Sequence, residues 1–237
     1  MSNVAKNLEF PRLPLELQQT IERDYANNPY TSGTSVSLSE SLVMASLVNH
    51  FQLASTLEIG LASGGSAAAI IAAKSYFKCN DLHIAIDPYQ KTHSGSTGLR
   101  VIEQLGYIDH LEWVEDLSEF YLPKVILSEK KFDFILIDGG HGLGQSMIDA
   151  YFSDRLLRIG GFIAIDDIYM ISTCNSIKFL INECGYQVIN SRLGLPNIPR
   201  LIKHSLRLGF NYSSTMSSKC SDALVILQKV KEYYGGY

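Results

Sequence analysis

The sequence has few cysteines and no long apolar run, and both absences narrow the kind of protein it encodes. Its four cysteines, Cys79, Cys174, Cys184 and Cys220, form no Cys-x-x-Cys pair, so reduced thiols in a cytoplasm are expected. The longest apolar runs are far shorter than a membrane span. The first ten residues lack the apolar segment of a signal peptide. We therefore expect a cytoplasmic protein without a membrane partner.

An excess of basic residues is also absent. The 237 residues carry 20 Lys and Arg against 24 Asp and Glu, for a net charge of −4. This balance argues against nucleic acid as the main partner, because phosphate binding requires a basic surface. The chain shows no internal repeat, and it contains no Gly-Lys-Ser/Thr, which excludes a P-loop. With 46% hydrophobic residues, it is suited to one α/β domain with a sizeable core.

Apolar strand segments alternate with segments of helical periodicity along most of the chain. Strands are predicted at 56–59, 83–88, 111–115, 132–138, 162–166, 186–192 and 223–229. Helices are predicted at 15–25, 38–51, 67–76, 99–105, 118–131, 145–157 and 174–184. This alternation favours a Rossmann-like, doubly wound α/β sheet of seven strands. The last two strands lack a crossover of standard length, so we expect them to form an antiparallel edge pair in a mostly parallel sheet.

Two segments fit this scheme less directly. Residues 1–37 are predicted to form an N-terminal cap or lid, and residues 38–237 the main domain. Within that domain, 194–221 is long for a connection between strands and includes the basic run 200–207. It is interpreted either as a short helix with a solvated basic face or as a lid or dimer contact.

The chain is organised around Thr56–Ser66, where a short apolar strand ends at glycines and opens into an alanine-rich helix. Glycine is required where a backbone bends sharply or approaches a ligand closely, and the following helix N-terminus offers free N–H groups. A nucleotide-like ligand is the natural occupant. The spacing is Glu-x-Gly-x-x-x-Gly, which differs from the Gly-x-Gly-x-x-Gly of a dinucleotide fold. An ordinary tight turn between strand and helix is the alternative.

Acidic residues stand at the carboxyl ends of the predicted strands, where open α/β sheets bind their ligands. Asp87 follows the second strand, where a carboxylate can accept both hydroxyls of a ribose. As an acid at a strand end, it is expected to pack against nothing. A surface acid without function is the alternative for this residue.

The fourth and fifth strands end in Asp138 and in Asp166-Asp167. Three carboxylates that converge repel one another unless a cation binds between them, and oxygen ligands suit Mg²⁺ or Ca²⁺. Such an ion lowers the pKa of a bound hydroxyl. His141, three residues after Asp138, is a candidate general base. The alternatives are that Asp167 only caps the next helix and that His141 only packs.

These motifs resemble class I S-adenosylmethionine (SAM) methyltransferases over about residues 30–190. Ile-Asp-Gly-x-His at 137–141, followed by Gly-Gly-Phe-Ile-Ala-Ile-Asp-Asp at 160–167, is similar to the small-molecule O-methyltransferases of methyltransferase family 24 and to the macrocin O-methyltransferase group. Catechol O-methyltransferase is a more distant likeness, in which a lysine base holds the spacing of His141. Many relatives have the sequence Asp-Gly-Asp at this corner, whereas this chain has Gly140 in place of the second acid. The resemblance therefore leaves His141 as the residue that removes the proton.

The resemblance implies a set of site residues. For the cofactor these are Glu58, Gly60, Ala62, Ser63, Gly64, Ser66, Asp87, Asp116, Leu117, Ser118 and Asp138. Asp116 would meet the adenine amine, with Glu115 as the alternative, and Asp138 would ligate the metal or orient the methionine amine. The implied metal ligands are Asp138, Asp166 and Asp167, and the implied catalytic residues are His141 and Asp138.

The resemblance implies a SAM-dependent O-methyltransferase that acts on a hydroxyl of a small molecule, such as a natural product, sugar or phenol, with Mg²⁺. A homodimer is an open possibility. The alternatives are a metal-free N- or carboxyl-methyltransferase, a non-catalytic binding module that retains the fold, and an NAD-dependent oxidoreductase, which the glycine spacing disfavours.

Overall fold

The computed structural model describes residues 12–29, 36–92, 95–189 and 224–232. Within these ranges the strands are β1 (Thr56–Ile59), β2 (His83–Ile86), β3 (Leu111–Val114), β4 (Phe132–Ile137), β5 (Leu157–Ile165), β6 (Tyr186–Val188) and β7 (Val225–Lys229). The helices are α1 (Leu15–Asn27), α2 (Leu38–Phe51), α3 (Gly65–Tyr76), α4 (Thr97–Gln104), α5 (Ser118–Leu127), α6 (Leu143–Leu156) and α7 (Ile171–Asn182), with one 3₁₀ turn at Ile108–His110. None of these helices is long and apolar enough to cross a membrane.

The seven strands belong to one sheet in the order β3-β2-β1-β4-β5-β7-β6. The pairs β1–β2, β2–β3 and β4–β5 are parallel, whereas β7 runs antiparallel to both β5 and β6. The predicted Rossmann-like, doubly wound sheet with an antiparallel edge pair is therefore confirmed. The described residues divide into two compact units, within 10–121 and within 122–237, called here the N-terminal and C-terminal units.

The N-terminal unit holds the parallel strands β1 to β3 and helices α1 to α4. The helix α2 begins with a capping box: Glu40 N–H donates to Ser37 Oγ, and the Glu40 carboxylate accepts the Ser37 N–H at 2.8 Å. Such reciprocal capping defines a helix start. The alanine-rich α3 is buried from Ser66 to Lys74, and β1 and β2 are buried along their whole length. Small side chains thus let α3 pack closely on the strands that precede the candidate site.

The C-terminal unit is built on β4 and β5, whose Phe132, Phe134 and Phe162 are among its largest fully buried side chains. The register between these strands shifts between Phe132 and Phe134. Lys229 of β7 is 1% exposed; its Nζ donates to the Asp154 carbonyl at 2.7 Å and lies 3.2 Å from Asp154 Oδ1. Since a buried ammonium group is stable only when it is paired, this contact fixes β7 against the end of α6.

Some predicted boundaries differ from the structure. The helix predicted at 145–157 spans Leu143–Leu156, and Gly160 and Gly161, which precede the predicted strand 162–166, lie inside β5. The predicted edge strand at 186–192 is described as Tyr186–Val188, and the last strand begins at Val225. The 194–221 insertion and most of the predicted cap before residue 15 lie outside the described residues, and the domain division stays a prediction.

Candidate functional site

The loop between β1 and α3 is a tight glycine turn. Gly60 and Gly64 have φ values of 97° and 78°, and Ala62 has φ 42°, a left-handed conformation that L residues rarely adopt. Gly60 N–H donates to the Ile86 carbonyl at 2.8 Å, and Gly64 N–H donates to the Leu61 carbonyl at 2.7 Å. The predicted glycine loop is thus present, and it is held in a strained conformation by its neighbours.

The carboxylate of Asp87 lies directly beneath this loop and holds it. Asp87 Oδ2 accepts the backbone N–H groups of Leu61 and Ala62 at 3.2 and 3.0 Å. The same oxygen accepts Gln90 Nε2 at 2.8 Å, while Oδ1 accepts the Tyr89 N–H at 2.8 Å. The expectation that this acid packs against nothing is therefore wrong: Asp87 is 6% exposed and has four protein donors. Of its two oxygens, Oδ1 has the greater remaining capacity for a ligand hydroxyl.

A second buried acid, Glu58, links β1 to the start of α3. Ser66 Oγ donates to Glu58 Oε2 at 2.8 Å, and His83 Nε2 lies 3.5 Å from the same oxygen. On its other ring nitrogen, His83 Nδ1 shares a 2.9 Å hydrogen bond with Thr56 Oγ1. Glu58 and His83 are both fully buried. The predicted cofactor residues Glu58 and Ser66 are thus brought into direct contact.

The end of β3 carries the residues that were predicted to meet the adenine. Asp116 Oδ1 accepts the Leu117 N–H at 2.9 Å, and Ser118 is buried at the start of α5. The alternative acid, Glu115, is ion-paired with Lys91 at 2.5 Å, and the Lys91 ammonium lies 4.9 Å from the centre of the Trp113 ring. Glu115 is therefore engaged by a cation, and the choice between Asp116 and Glu115 stays a prediction.

In the C-terminal unit, the predicted base contacts one of the predicted metal ligands. His141 Nε2 lies 3.2 Å from Asp167 Oδ2, with side-chain exposures of 47% and 19%. A hydrogen bond with Asp167 also raises the pKa of the Tyr169 phenol, and burial and the charges of Asp167, Asp166 and Asp138 raise it further. Asp167 has φ 53°, a left-handed conformation that is uncommon for a residue with a side chain. The carboxylate of Asp167 is thus shared between an imidazole and a phenol.

The predicted Mg²⁺ site does not fit this arrangement. Among the described residues, no group of three or more Asp, Glu, His or Cys side chains is arranged to hold a metal ion. The Asp167 carboxylate contacts His141 and Tyr169 in place of a shared ligand set. Asp166 Oδ1, for its part, accepts the Asp167 N–H at 2.7 Å. Asp138, Asp166 and Asp167 are therefore neighbours of Tyr169 without forming the ligand set that the sequence led us to expect.

Comparison with known families decides the class of the protein. Residues 57–168 match the model of methyltransferase family 24, described as a methyltransferase domain. Over this range the chain is similar to a family 24 methyltransferase domain. The matched range begins in β1 and ends just after Asp167, so it includes the glycine loop, Asp87 and His141. The predicted family and the predicted enzyme class, a SAM-dependent methyltransferase, are confirmed. No curated protein matches the sequence.

Solved structures show the same fold at low sequence identity. Cofactor-bound Rv0187 from MTB is 14% identical with a TM-score of 0.62, and covers 92% of this chain and 89% of its own. The O-methyltransferase from Bacillus cereus in complex with SAH is 18% identical with a TM-score of 0.60, covering 92% of each chain. TomG from Streptomyces achromogenes, an O-methyltransferase of tomaymycin synthesis in complex with SAM, is 14% identical with a TM-score of 0.56 and coverages of 92% and 91%. At such identities the likeness establishes the fold of the methyltransferase domain alone.

Sequence reasoning missed two residues of the site, Gln90 and Tyr169. Gln90 is fully buried, although glutamine is mostly a surface residue, and it stands three residues after Asp87, within reach of a strand-end acid. Tyr169 follows Asp167 by two residues. An uncharged polar side chain close to each strand-end acid was the available signal.

Proposed function

We propose that the chain transfers a methyl group from SAM to a hydroxyl oxygen of a small molecule, with His141 as the base. The observation that carries this proposal is the 3.2 Å contact between His141 Nε2 and Asp167 Oδ2. When the Nε2–H donates to Asp167, Nδ1 becomes the nitrogen that accepts a proton. Asp167 then acts as a positioning residue that fixes the tautomer and the orientation of the ring.

The reaction balances without a further reactant. The acceptor oxygen attacks the methyl carbon, the carbon–sulfur bond breaks and the carbon–oxygen bond forms. The acceptor proton moves to His141 Nδ1, and S-adenosylhomocysteine (SAH) leaves with a neutral sulfur. The contribution of the protein is to position the reactants and to remove the proton.

The glycine loop and its clamp support SAM as the cofactor. The loop is a strained turn that opens into α3, and Asp87 Oδ1 offers an acceptor beside it. Two solved relatives of the same fold were obtained with SAH or SAM, the Bacillus cereus enzyme and TomG. Both are O-methyltransferases, which supports oxygen as the acceptor atom in the proposal.

An oriented base also favours a hydroxyl over the alternative acceptors. A carboxylate acceptor is ionised at neutral pH and requires no base, so the contact between His141 and Asp167 would have no role in carboxyl methylation. A sugar or phenol hydroxyl must lose its proton as the methyl group arrives. Because the three acids do not form a metal-ligand set, no step of the proposal depends on Mg²⁺, and the Mg²⁺ prediction is left to the chelation experiment below.

The remaining predictions concern the partners, the cellular location and the oligomeric state of the protein. We propose a small-molecule acceptor, no nucleic-acid or membrane partner, and a cytoplasmic location with reduced thiols. Cys79, Cys174 and Cys184 are free thiols in the described part of the chain. Sedimentation would decide between a monomer and the homodimer.

The first experiment compares ligands, and the second compares acceptors. Thermal shift and calorimetry with SAM, SAH and NAD should show stabilisation by SAM and SAH only. Incubation with methyl-deuterated SAM and a panel of phenols, catechols and sugars should then give a product that is heavier by one labelled methyl group. Failure to bind SAM or SAH, or transfer to amines or carboxylates alone, would overturn the proposal.

A further inference from the structure

We infer that Gln90 is a positioning residue of the cofactor site, whose amide locks the glycine loop to the first turn of α4. The inference rests on the proposed function, because it takes the glycine loop to be the place where SAM binds. Gln90 is fully buried, and it follows β2 in a stretch of the chain to which no role has been assigned.

Both the nitrogen and the oxygen of the Gln90 side-chain amide form hydrogen bonds. On the donor side, Nε2 donates to the Ala62 carbonyl at 2.9 Å and to Asp87 Oδ2 at 2.8 Å. On the acceptor side, Oε1 accepts the Gly98 N–H at 3.0 Å. This assignment of nitrogen and oxygen is the chemically consistent one, because the NH₂ group faces two acceptors and the oxygen faces a donor. One side chain therefore connects the glycine loop, the strand-end acid and α4.

The backbone of Gln90 makes the same connection, since its carbonyl accepts the Ser96 N–H. The start of α4 is thus attached to Gln90 through both the main chain and the side chain. Any movement of the glycine loop at Ala62 must then stretch a hydrogen bond to Gln90, to Asp87 or to both.

Steric contacts show how closely these parts meet. A Cβ atom at Gly98 would lie 2.6 Å from the Ala62 carbonyl oxygen and 3.1 Å from Gln90 Oε1. A Cβ atom at Gly64 would lie 2.9 Å from the Gly98 carbonyl oxygen. Both distances to carbonyl oxygens are shorter than real Cβ atoms tolerate. The loop and the first turn of α4 are therefore in backbone contact, and Gln90 occupies the position that joins them.

The consequence for binding follows from the strain in the loop. Ala62 has φ 42°, so its conformation persists only while its surroundings enforce it. Without the Gln90 amide, the fraction of molecules with a binding-competent loop should fall, and the apparent dissociation constant should rise by the inverse of that fraction. The predicted defect is thus in cofactor affinity, and it should exceed any defect in overall stability.

The test uses Gln90→Met, which keeps the length of the side chain and removes both hydrogen-bonding ends. We expect the Kd for SAH, measured by calorimetry, to rise by at least about tenfold. Hydrogen exchange at residues 60–65 should quicken in the free protein, and saturating SAH should restore its protection. Gln90→Glu is the second variant, and it has nearly the same shape: it keeps an acceptor for Gly98 but sets a carboxylate oxygen against Asp87 and the Ala62 carbonyl. It should weaken SAH binding in the same direction.

Thr56→Val is the matched control. Thr56 is fully buried in the same unit, and its Oγ1 pairs with His83 and Lys74 at the amino end of β1, away from the glycine loop. It should lower the thermal midpoint without changing the SAH affinity. If both Gln90 variants bind SAH as tightly as the wild type, the inference is overturned. If the wild type itself binds no SAH, the proposed function fails instead, so the two failures are distinguishable.

Discussion

Ser66 and Glu58 form a buried hydrogen bond of 2.8 Å that joins the first turn of α3 to β1. The second carboxylate oxygen, Oε1, has no hydrogen-bond partner among the described residues. A buried carboxylate with one of its oxygens unpaired depends strongly on the donors it has. Ser66 is one of those donors, and it lies immediately after the glycine loop.

Ser66→Ala should therefore lower the free energy of unfolding by about 1–3 kcal/mol. Ser41→Ala is its matched control, because Ser41 is equally buried but its Oγ has no partner in the described residues. Removing that hydroxyl should leave stability unchanged or raise it by up to about 1 kcal/mol. Urea unfolding of both variants measures the difference. A large loss for Ser41→Ala would indicate a bound water in the cavity of about 10 Å³ that Ser41 shares with Asp24.

Asp87→Ala should affect both cofactor binding and stability. The loss of an ionised acceptor should weaken SAM binding by about 1.5–3 kcal/mol. Because four protein donors lose their acceptor as well, the thermal midpoint of the free protein should also fall. Calorimetry and thermal melts of the same preparation check the two effects. Unchanged SAM affinity in a folded Asp87→Ala variant would show that Asp87 does not contribute to cofactor binding.

His141→Ala should lower kcat by about 10²–10⁴-fold with little change in SAM affinity. Asp167→Asn should lower it by about 10–100-fold, because the imidazole loses the partner that fixes its tautomer. Both effects should be smaller for a catechol than for a sugar, whose hydroxyl is far less acidic. Steady-state kinetics with acceptors of graded acidity provide the measurement. A loss below about threefold on every acceptor would show that His141 only packs.

Turnover should persist in excess chelator, since Asp167 is engaged by His141 and Tyr169. The assay measures SAH formation in chelator and after addition of Mg²⁺. Abolished turnover that Mg²⁺ restores would show that the three acids rearrange around an ion, and Asp166→Asn should then raise the Mg²⁺ requirement.

The C-terminal unit should lose stability at alkaline pH. Burial raises the pKa of Cys184 to about 12, and burial and the charge of Asp154 raise the pKa of Tyr186 above its ordinary value. The folded state therefore retains protons that the unfolded chain releases as the pH rises above about 9, so the free energy of unfolding falls with pH in that range. Urea titrations at pH 8 and pH 10 should show this loss. Tyr186→Phe should make the slope shallower, and an unchanged slope would contradict the assignment.

The parts of the fold that depend on local pattern could be predicted, and those that depend on a partner strand could not. The helix Leu38–Phe51 and the strand Thr56–Ile59 have the predicted bounds, since periodicity and a capping serine define them. The start of β5 at Leu157 was missed because Leu157 pairs with Phe132 of β4, and Gly160 and Gly161 lie in the irregular stretch between that pair and Phe162. No local pattern records that pairing.

The candidate site was likewise predictable in part: the sequence could place its acids but could not predict their contacts. The positions of Asp87 and Asp167 follow from the order of strands, so the sequence could place them. The atoms that each carboxylate contacts depend on side chains such as Gln90 and Tyr169, whose directions are set by tertiary packing. Sequence therefore predicted where the acids stand, whereas it did not predict that Asp87 supports a loop or that Asp167 pairs with an imidazole.

The place of β7 in the sheet has a consequence for synthesis. The last strand in the described part of the chain, β7, lies between β5 and β6, and pairs with both. While a ribosome is still making residues 225–229, β5 and β6 have no partner at that position and present open edges, which attract other chains. The nascent protein thus completes this half of its sheet only after translation has passed Lys229.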